Sequence, residues 1–382
     1  MTSDKLKEVR VLHVITGLGI GGTETALLRL LQGLKNSDIR SIVVSLSGHG
    51  PLSEKFRKIG VTVLAPTTTR SGRIRILSYL RILRELRGFR PLKVQGWMYH
   101  GNLVASVLSQ LWWRRAQTVW NIRCSLDGIG LEKRATRILI RIEGLLSNEP
   151  KAIVYNSRTS AKQHQKIGFS ESKTLVIPNG FDLSRFRPDP SSRNSTRRTL
   201  ELDTHTTLIG VLGRYHPIKG YPTFFAAAGK LIKNRAPVHF ILAGSGMDDS
   251  NTELAAMIEA QGIVGRTTLL GELDDIAPLL AALDLLVSPS FGEAFPNIVG
   301  EAMACGVPCI GTDVGDTRFL IGNAGRIVRP GDSSGLFREI QSFIDLPESA
   351  RALLATSARE RINTSFTQSR TTRSYLSLYR ES

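Results

Sequence analysis

The chain has 382 residues, beyond the roughly 250–300 at which a single hydrophobic core stops growing, so its length predicts two domains. Its 41% hydrophobic and 22% charged residues exclude a disordered chain, and no apolar run approaches the ~18–20 residues that cross a bilayer. The net charge of +17 is the outlier and asks for an anionic partner.

The first half alternates strand and helix signals. Val9–Ile15 reads as a strand, Glu24–Leu34 as a helix and Ser41–Leu46 as a strand. The run Val11–Ile15 is too short for a signal-peptide core, so the expected location is cytoplasmic, unless the protein is held at a membrane surface. Ile74–Leu86 reads as helix, Leu92–Gln95 as extended chain and Asn102–Leu111 as helix. The strand Thr118–Ile122, a helix around Arg134–Leu146, and short strands at Ala152–Tyr155 and Thr174–Ile177 follow. Arg187–Ser195 is polar and proline-bearing, as linkers are. A second series of strands then runs through Leu208–Leu212, Phe240–Ala243, Leu269–Leu270, Leu285–Ser288 and Pro308–Gly311, and a helical segment Phe366–Leu378 closes the chain. Such alternation predicts an α/β fold of two Rossmann-like parallel-sheet domains facing a cleft, with ligands beyond the carboxyl ends of the strands. The expected division is 1–183 and 184–363, with 364–382 packing back on the first domain.

Charge is placed unevenly along this frame. Arg70, Arg73, Arg75, Arg81, Arg84, Arg87, Arg90 and Lys93 crowd around a single acid, Glu85, interleaved with isoleucines and leucines. A second basic group runs from Arg114 and Arg115 through Lys133, Arg134, Arg137 and Arg141. The interleaved residues are aliphatic rather than aromatic, which argues against nucleic acid. A basic amphipathic helix lying on an anionic inner-membrane surface fits the pattern, and a solvated helix face is the plainer alternative. The cysteines, Cys124, Cys305 and Cys309, lack the companions of a zinc set and read as buried thiols, so no metal is expected.

Several glycine-bearing turns follow strands. Gly17–Gly22 satisfies the dinucleotide fingerprint, but the next strand ends at Leu46-Ser47-Gly48 without the acid that a nicotinamide dinucleotide requires. Gly21 and Gly22 still allow a phosphate or a sugar to approach the backbone. Gly213-Arg214 and Lys219-Gly220 bracket a short loop in which a planar fork and a compact ammonium suit a diphosphate. Gly244 marks another such turn. His100, Asn121 and Arg123 stand near strand ends of the first half, where Asn121 and Arg123 could meet an acceptor. The richest segment is Phe291–Pro308, where Glu293 stands in a loop and Glu301 in the helix that the loop opens. The amides at that helix start favour an anion lying between the two carboxylates.

These residues resemble the retaining glycosyltransferases of family 4 with the GT-B fold. The similarity lies in Glu293-Ala294-Phe295-Pro296-Asn297 through Glu301-Ala302-Met303-Ala304, in Gly213-Arg214 with Lys219-Gly220, in Gly21-Gly22-Thr23-Glu24, and in Ile177–Asp182. The resemblance implies transfer of a sugar from a nucleotide diphosphate donor, expected to be a UDP-sugar, without a metal or other cofactor. It implies that Glu293 and the backbone of Phe295, Pro296 and Asn297 hold the sugar. It gives the ribose to Glu301, the diphosphate to Arg214 and Lys219, and a donor contact to His100. With the basic helices, it makes a saccharide or polyprenyl-diphosphate-linked acceptor of surface polysaccharide assembly the expected partner. An epimerase or hydrolase on the same fold, or a non-catalytic basic binding protein, are the rival readings. Arg318 and Phe319 depart from the family pattern, since an acid is common there.

Overall fold

The computed structural model describes residues 8–67, 77–203 and 205–381. The elements run β1 (Val9–Ile15), α1 (Gly22–Leu34), β2 (Ile39–Ser45), α2 (Ser53–Lys58), β3 (Thr62–Leu64), α3 (Leu77–Arg87), β4 (Lys93–Trp97), α4 (Met98–Trp112), β5 (Gln117–Ile122), α5 (Arg134–Leu146), β6 (Ala152–Tyr155), α6 (Arg158–Lys166) and β7 (Thr174–Val176). They continue with α7 (Pro190–Thr199), β8 (Thr207–Leu212), α8 (Tyr221–Lys233), β9 (Val238–Ala243), α9 (Thr252–Ala260), β10 (Thr267–Leu269), α10 (Ala277–Ala282), β11 (Leu285–Ser288), α11 (Asn297–Ala304), β12 (Cys309–Thr312), α12 (Thr317–Ile321), β13 (Gly325–Val328), α13 (Ser333–Ile344), α14 (Glu348–Ser365) and α15 (Gln368–Arg380). Two compact units result. One runs to Gly180 and resumes at Gln368, and the other is Phe181–Thr367.

The first unit is a seven-stranded sheet of order β3-β2-β1-β4-β5-β6-β7, and the second a six-stranded sheet of order β10-β9-β8-β11-β12-β13. Every strand pair is parallel. Parallel strands are covered on both faces, which is why β4, β6, β8, β11 and β12 are buried at every position. In each sheet the order reverses beside the first strand, β1 or β8, which opens a crevice at the carboxyl ends there.

Right-handed crossovers put α1 and α2 on one face of the first sheet, and α3, α4 and α5 on the other. The cores agree. Val11 and Ile15 pack with Leu27 and Leu31 of α1 and with Tyr375 and Leu378 of α15. Leu12 and Val14, on the opposite face of the same strand, pack with Ile82 and Leu86 of α3 and Ala105 and Leu108 of α4. The carboxyl-terminal helix α15 is thus part of the first unit's core, and Gln368 Nε2 donates to Arg29 O at 2.8 Å.

The sequence expectation fails at several places, for identifiable reasons. The polar stretch 187–195 is no linker. Asp189 caps α7 by accepting from the amides of Ser191 and Ser192 at 3.0 and 3.1 Å, and Pro190 opens the helix. Arg193 and Arg197 of α7 then pair with Asp284, so the helix is held by ions rather than by an apolar stripe. Helices α2 and α6 and strand β3 carry no periodic signal: α2 and β3 are short, and α6 (RTSAKQHQK) is nearly all polar. Of the first basic cluster, Arg70, Arg73 and Arg75 lie outside the described residues. Lys93 is not a surface cation, because it is buried with Nζ donating to Gln117 Oε1 and Glu381 O.

The inner side of α5 carries Glu143, fully buried, with Asn102 Nδ2 donating to its Oε2 at 3.2 Å and no partner for Oε1 among the described residues. Burial pushes its carboxyl up to about 9, so the folded protein holds the proton at neutral pH. The unfolded chain releases that proton from about pH 4.5 upward. Stability from this group is therefore full below pH 4.5 and lost progressively as pH rises towards 9. Glu143→Gln keeps the acceptor for Asn102 and removes the titration. We expect it to leave stability at pH 4.5 unchanged and to raise it by on the order of 3 kcal/mol at pH 7, read from urea unfolding at the two pH values.

Candidate functional site

Four loops at the carboxyl ends of β8, β9, β11 and β12 converge in the second unit. Each is drawn against its neighbour by backbone contacts. Gly213 N donates to Ala243 O at 2.9 Å and Tyr215 N to Ser245 O at 2.8 Å, which ties the β8 loop to the Gly244 turn. Phe291 N donates to Ile218 O at 2.7 Å, which ties the same loop to the segment after β11. That approach needs Gly220, whose φ is +67° and where an added Cβ would lie 2.1 Å from Pro289 O. Asp316 N donates to Ala294 O at 2.9 Å, and at Gly315, with φ +52°, a Cβ would lie 2.0 Å from Glu293 O.

The polar groups of these loops meet at Glu293. Lys219 Nζ donates to Glu293 Oε1 at 2.6 Å, with the side chains 23% and 14% exposed. Ser290 Oγ donates to the same oxygen at 2.8 Å. Oε2 accepts no hydrogen bond from the described residues. Thr312 Oγ1 fixes Ser290 from below by donating to its carbonyl oxygen at 2.5 Å. Beneath the Gly213-Arg214 turn, Tyr221 OH donates to Gly213 O at 2.9 Å and Arg214 O at 3.2 Å. Burial, and then the charge of Glu293, push the Tyr221 hydroxyl pKa well up, so it stays a donor. Arg214 itself projects into solvent. The structure thus joins Lys219 to Glu293 and leaves Arg214 exposed in the same loop.

Glu301 lies one turn into α11, buried, behind Asn297 at the helix start. Among the described residues no side chain caps α11, whose N-cap position is Pro296. The Phe295 ring belongs to the core, stacked 6.3 Å from Phe181 and edge-on 5.6 Å from Phe366, so only its backbone is offered to a ligand. A cavity of about 710 Å³ opens at the other, amino-terminal ends of the strands, beside Thr207, Asp284 and Pro308. It touches none of these loops.

The first-unit residues are less uniform. Gly21 is the N-cap of α1 and Gly22 its first residue, with Gly21 in ordinary extended conformation. His100 stands in the first turn of α4, exposed, where the sequence suggested a strand end. Asn121 is fully buried, with Nδ2 donating to Tyr375 OH at 2.6 Å and its amide to Asn102 Oδ1 at 3.1 Å, so it fastens α15 to the end of β5. Arg123 lies over the Trp97 ring at 5.7 Å and donates to Asn179 Oδ1. Burial pulls its guanidinium pKa down, while Tyr375 pushes it up. Among the described residues no group of three or more His, Cys, Asp or Glu side chains is arranged for a metal. Ser290, Tyr221 and Thr312 are the site groups the sequence did not single out. The only signal for them was their place within three residues of a strand end or of Lys219.

Comparison with known proteins follows the same division. The model of "Glycosyl transferases group 1" matches residues 206–345, and that of "Glycosyltransferase Family 4" matches residues 20–185. A D-inositol 3-phosphate glycosyltransferase of Rhodococcus opacus is 29% identical over 235 residues, covering 58% of this chain and 51% of the relative. The chain therefore spans about half the length of the curated relatives it matches. Among solved structures, Anabaena HepE in complex with UDP and glucose superimposes with a TM-score of 0.81 at 21% identity, covering 97% of this chain and 99% of that one. WaaG, a glycosyltransferase involved in lipopolysaccharide biosynthesis, gives 0.72 at 18% identity, covering 98% and 100%.

Gly315→Ala tests the loop packing. A Cβ there meets the Glu293 carbonyl, and a left-handed φ penalises any side chain. Thermal unfolding should show a loss of about 1–3 kcal/mol. A variant as stable as the parent would contradict the close approach.

Proposed function

This chain belongs to the family 4, group 1 glycosyltransferases of GT-B fold, and from that premise we propose that it transfers a sugar from a UDP-sugar, with retention of anomeric configuration. The proposed acceptor is a saccharide or polyprenyl-diphosphate-linked saccharide of surface polysaccharide assembly, met at the cytoplasmic face of the inner membrane. The single observation that carries the reading is the half-buried Lys219–Glu293 pair, held at 2.6 Å among loops at the carboxyl ends of the second sheet.

In this reading the second unit holds the donor. Glu293 Oε2 accepts from sugar hydroxyls, while Oε1 stays with Lys219 and Ser290. Glu301 takes the ribose. Lys219 and Arg214 supply the positive charge that a departing diphosphate needs, so the proposed chemistry requires no metal. The transition state has oxocarbenium character, and the leaving phosphate accepts the acceptor's proton on the face it vacates. Glu293 is a positioning group in this scheme. A carboxylate engaged by an ammonium and a hydroxyl is a poor nucleophile, and Glu301 sits in a helix core rather than across the sugar. His100 and the Gly21-Gly22 helix start are the first unit's proposed contributions, and Arg123 its proposed acceptor contact.

Two measurements test this. Nucleotide sugars screened by thermal shift should single out a UDP-sugar, and at a hundred times its dissociation constant the stabilisation is about 2.7 kcal/mol. Lys219→Ala and Glu293→Ala, assayed at saturating donor, should each lower kcat by roughly 10²–10³. Unchanged turnover in both would remove the site. Product that forms without any acceptor would favour an epimerase or hydrolase instead.

A further inference from the structure

One face of the first sheet carries helices that are apolar on the outside. On α5, Ile138, Ile142 and Leu145 are 57%, 41% and 84% exposed at the spacing of a single helix face. The side turned inward holds Ile140 and the buried carboxyl of Glu143. The helix thus presents an apolar row to solvent beside its arginines, and buries a carboxyl beside its apolar core residues. Its neighbour α4 leaves Val107, Leu111 and Trp112 exposed, and α3 leaves Leu77 and Leu80 exposed. Exposed apolar residues of the second unit, such as Val264 and Leu353, are scattered, which is ordinary for a soluble surface. Exposed arginines border the apolar rows: Arg134, Arg137 and Arg141 on α5, Arg81 and Arg84 on α3, and Arg114 and Arg115 just past α4.

We propose that this α3–α4–α5 face docks on an anionic lipid bilayer, with the isoleucines and leucines entering the acyl boundary and the guanidinium groups meeting lipid phosphates. The inference deepens the membrane part of the reading above and rests on it for its biological sense. Three features select lipid as the occupant. A second copy would oppose the same arginines across a two-fold axis, so like charges would meet. A nucleic acid would neutralise the arginines and leave the apolar rows in water. A bilayer satisfies both, because long cationic side chains reach the phosphates while the apolar row lies deeper. No described helix is long and apolar enough to cross a membrane, so the contact is with the surface.

The test is flotation of the intact protein with vesicles of phosphatidylcholine alone or mixed with phosphatidylglycerol. The parent should float with the mixed vesicles at low salt and be released at high salt. Ile138→Asp with Leu145→Asp should keep its melting temperature, since both residues are exposed, and should lower the bound fraction by roughly tenfold or more. Arg137→Glu with Arg141→Glu should weaken binding and reduce its dependence on lipid charge. Leu353→Asp, in the second unit, should float as the parent does. The proposal is overturned if the parent fails to float, or if the double aspartate variant floats equally well. It is also overturned if the parent is a dimer that this variant dissociates, without any vesicle binding. A nucleotide-sugar thermal shift on the same preparations separates the two readings. Flotation without a shift removes the transferase reading alone, and a shift without flotation removes the docking face alone.

Discussion

The ion pair between Lys219 and Glu293 is the constraint on which the second unit's upper surface depends. It spans the loops after β8 and β11, neighbours in the sheet, and both partners are mostly withdrawn from water. Removing two charges from water costs several kcal/mol per ion in a low-dielectric setting, and the pair recovers that cost only with good geometry and further hydrogen bonds. Here the extra bond comes from Ser290, itself fixed by Thr312. Such a pair adds little net stability. What it provides is position: an ammonium and a carboxylate whose places are set before any ligand arrives. The glycines at 220 and 315 serve the same end, because they bring the backbones close enough for the side chains to meet.

The donor reading makes this pair the point of competition. A diphosphate beside Lys219 offers the ammonium a second anionic partner while Glu293 still has Ser290 Oγ. The carboxylate can then turn its unshared oxygen to sugar hydroxyls without being left uncompensated. Two cations and one carboxylate at one strand edge leave one net positive charge when empty, which favours an anionic diphosphate there. In this reading the seven-residue spacing of Glu293 and Glu301 does not make an acid–base couple. One carboxylate is committed to a lysine, and the other is enclosed in α11.

Much of this was legible in the sequence because periodicity and turn chemistry act locally. The strands Val9–Ile15, Ala152–Tyr155 and Leu285–Ser288 and the helix Arg134–Leu146 announce themselves as apolar runs or stripes. The loops bearing Glu293 and Lys219 follow from strand ends. What sequence could not give was long-range pairing. Nothing local marks Asp284 as the anchor of α7, so a capped helix read as a linker. Nothing local distinguishes Lys93, sealed under the chain's end, from the arginines around it. Asn121 looked ligand-facing because it ends a strand, but its partner Tyr375 is 254 residues away. Position in the sheet was predictable there; the occupant of the space above was not.

The helix α5 poses the remaining physical question. In water, an inward carboxyl and an outward row of isoleucine and leucine are both unfavourable. The inward group resolves its cost by staying protonated, since burial holds its carboxyl near 9, and a neutral acid with one hydrogen bond is tolerable. The outward row has no such recourse, because an aliphatic side chain cannot change state. Its cost is removed only by covering it. The arginines beside it cannot cover it alone: their stems shield some apolar surface, but their heads repel one another at short range. A surface that accepts the apolar row and neutralises those heads removes both costs at once. With the proposed docking, the two halves of one helix would settle the same mismatch differently, the inner by protonation and the outer by contact with a partner that is apolar in depth and anionic at its boundary.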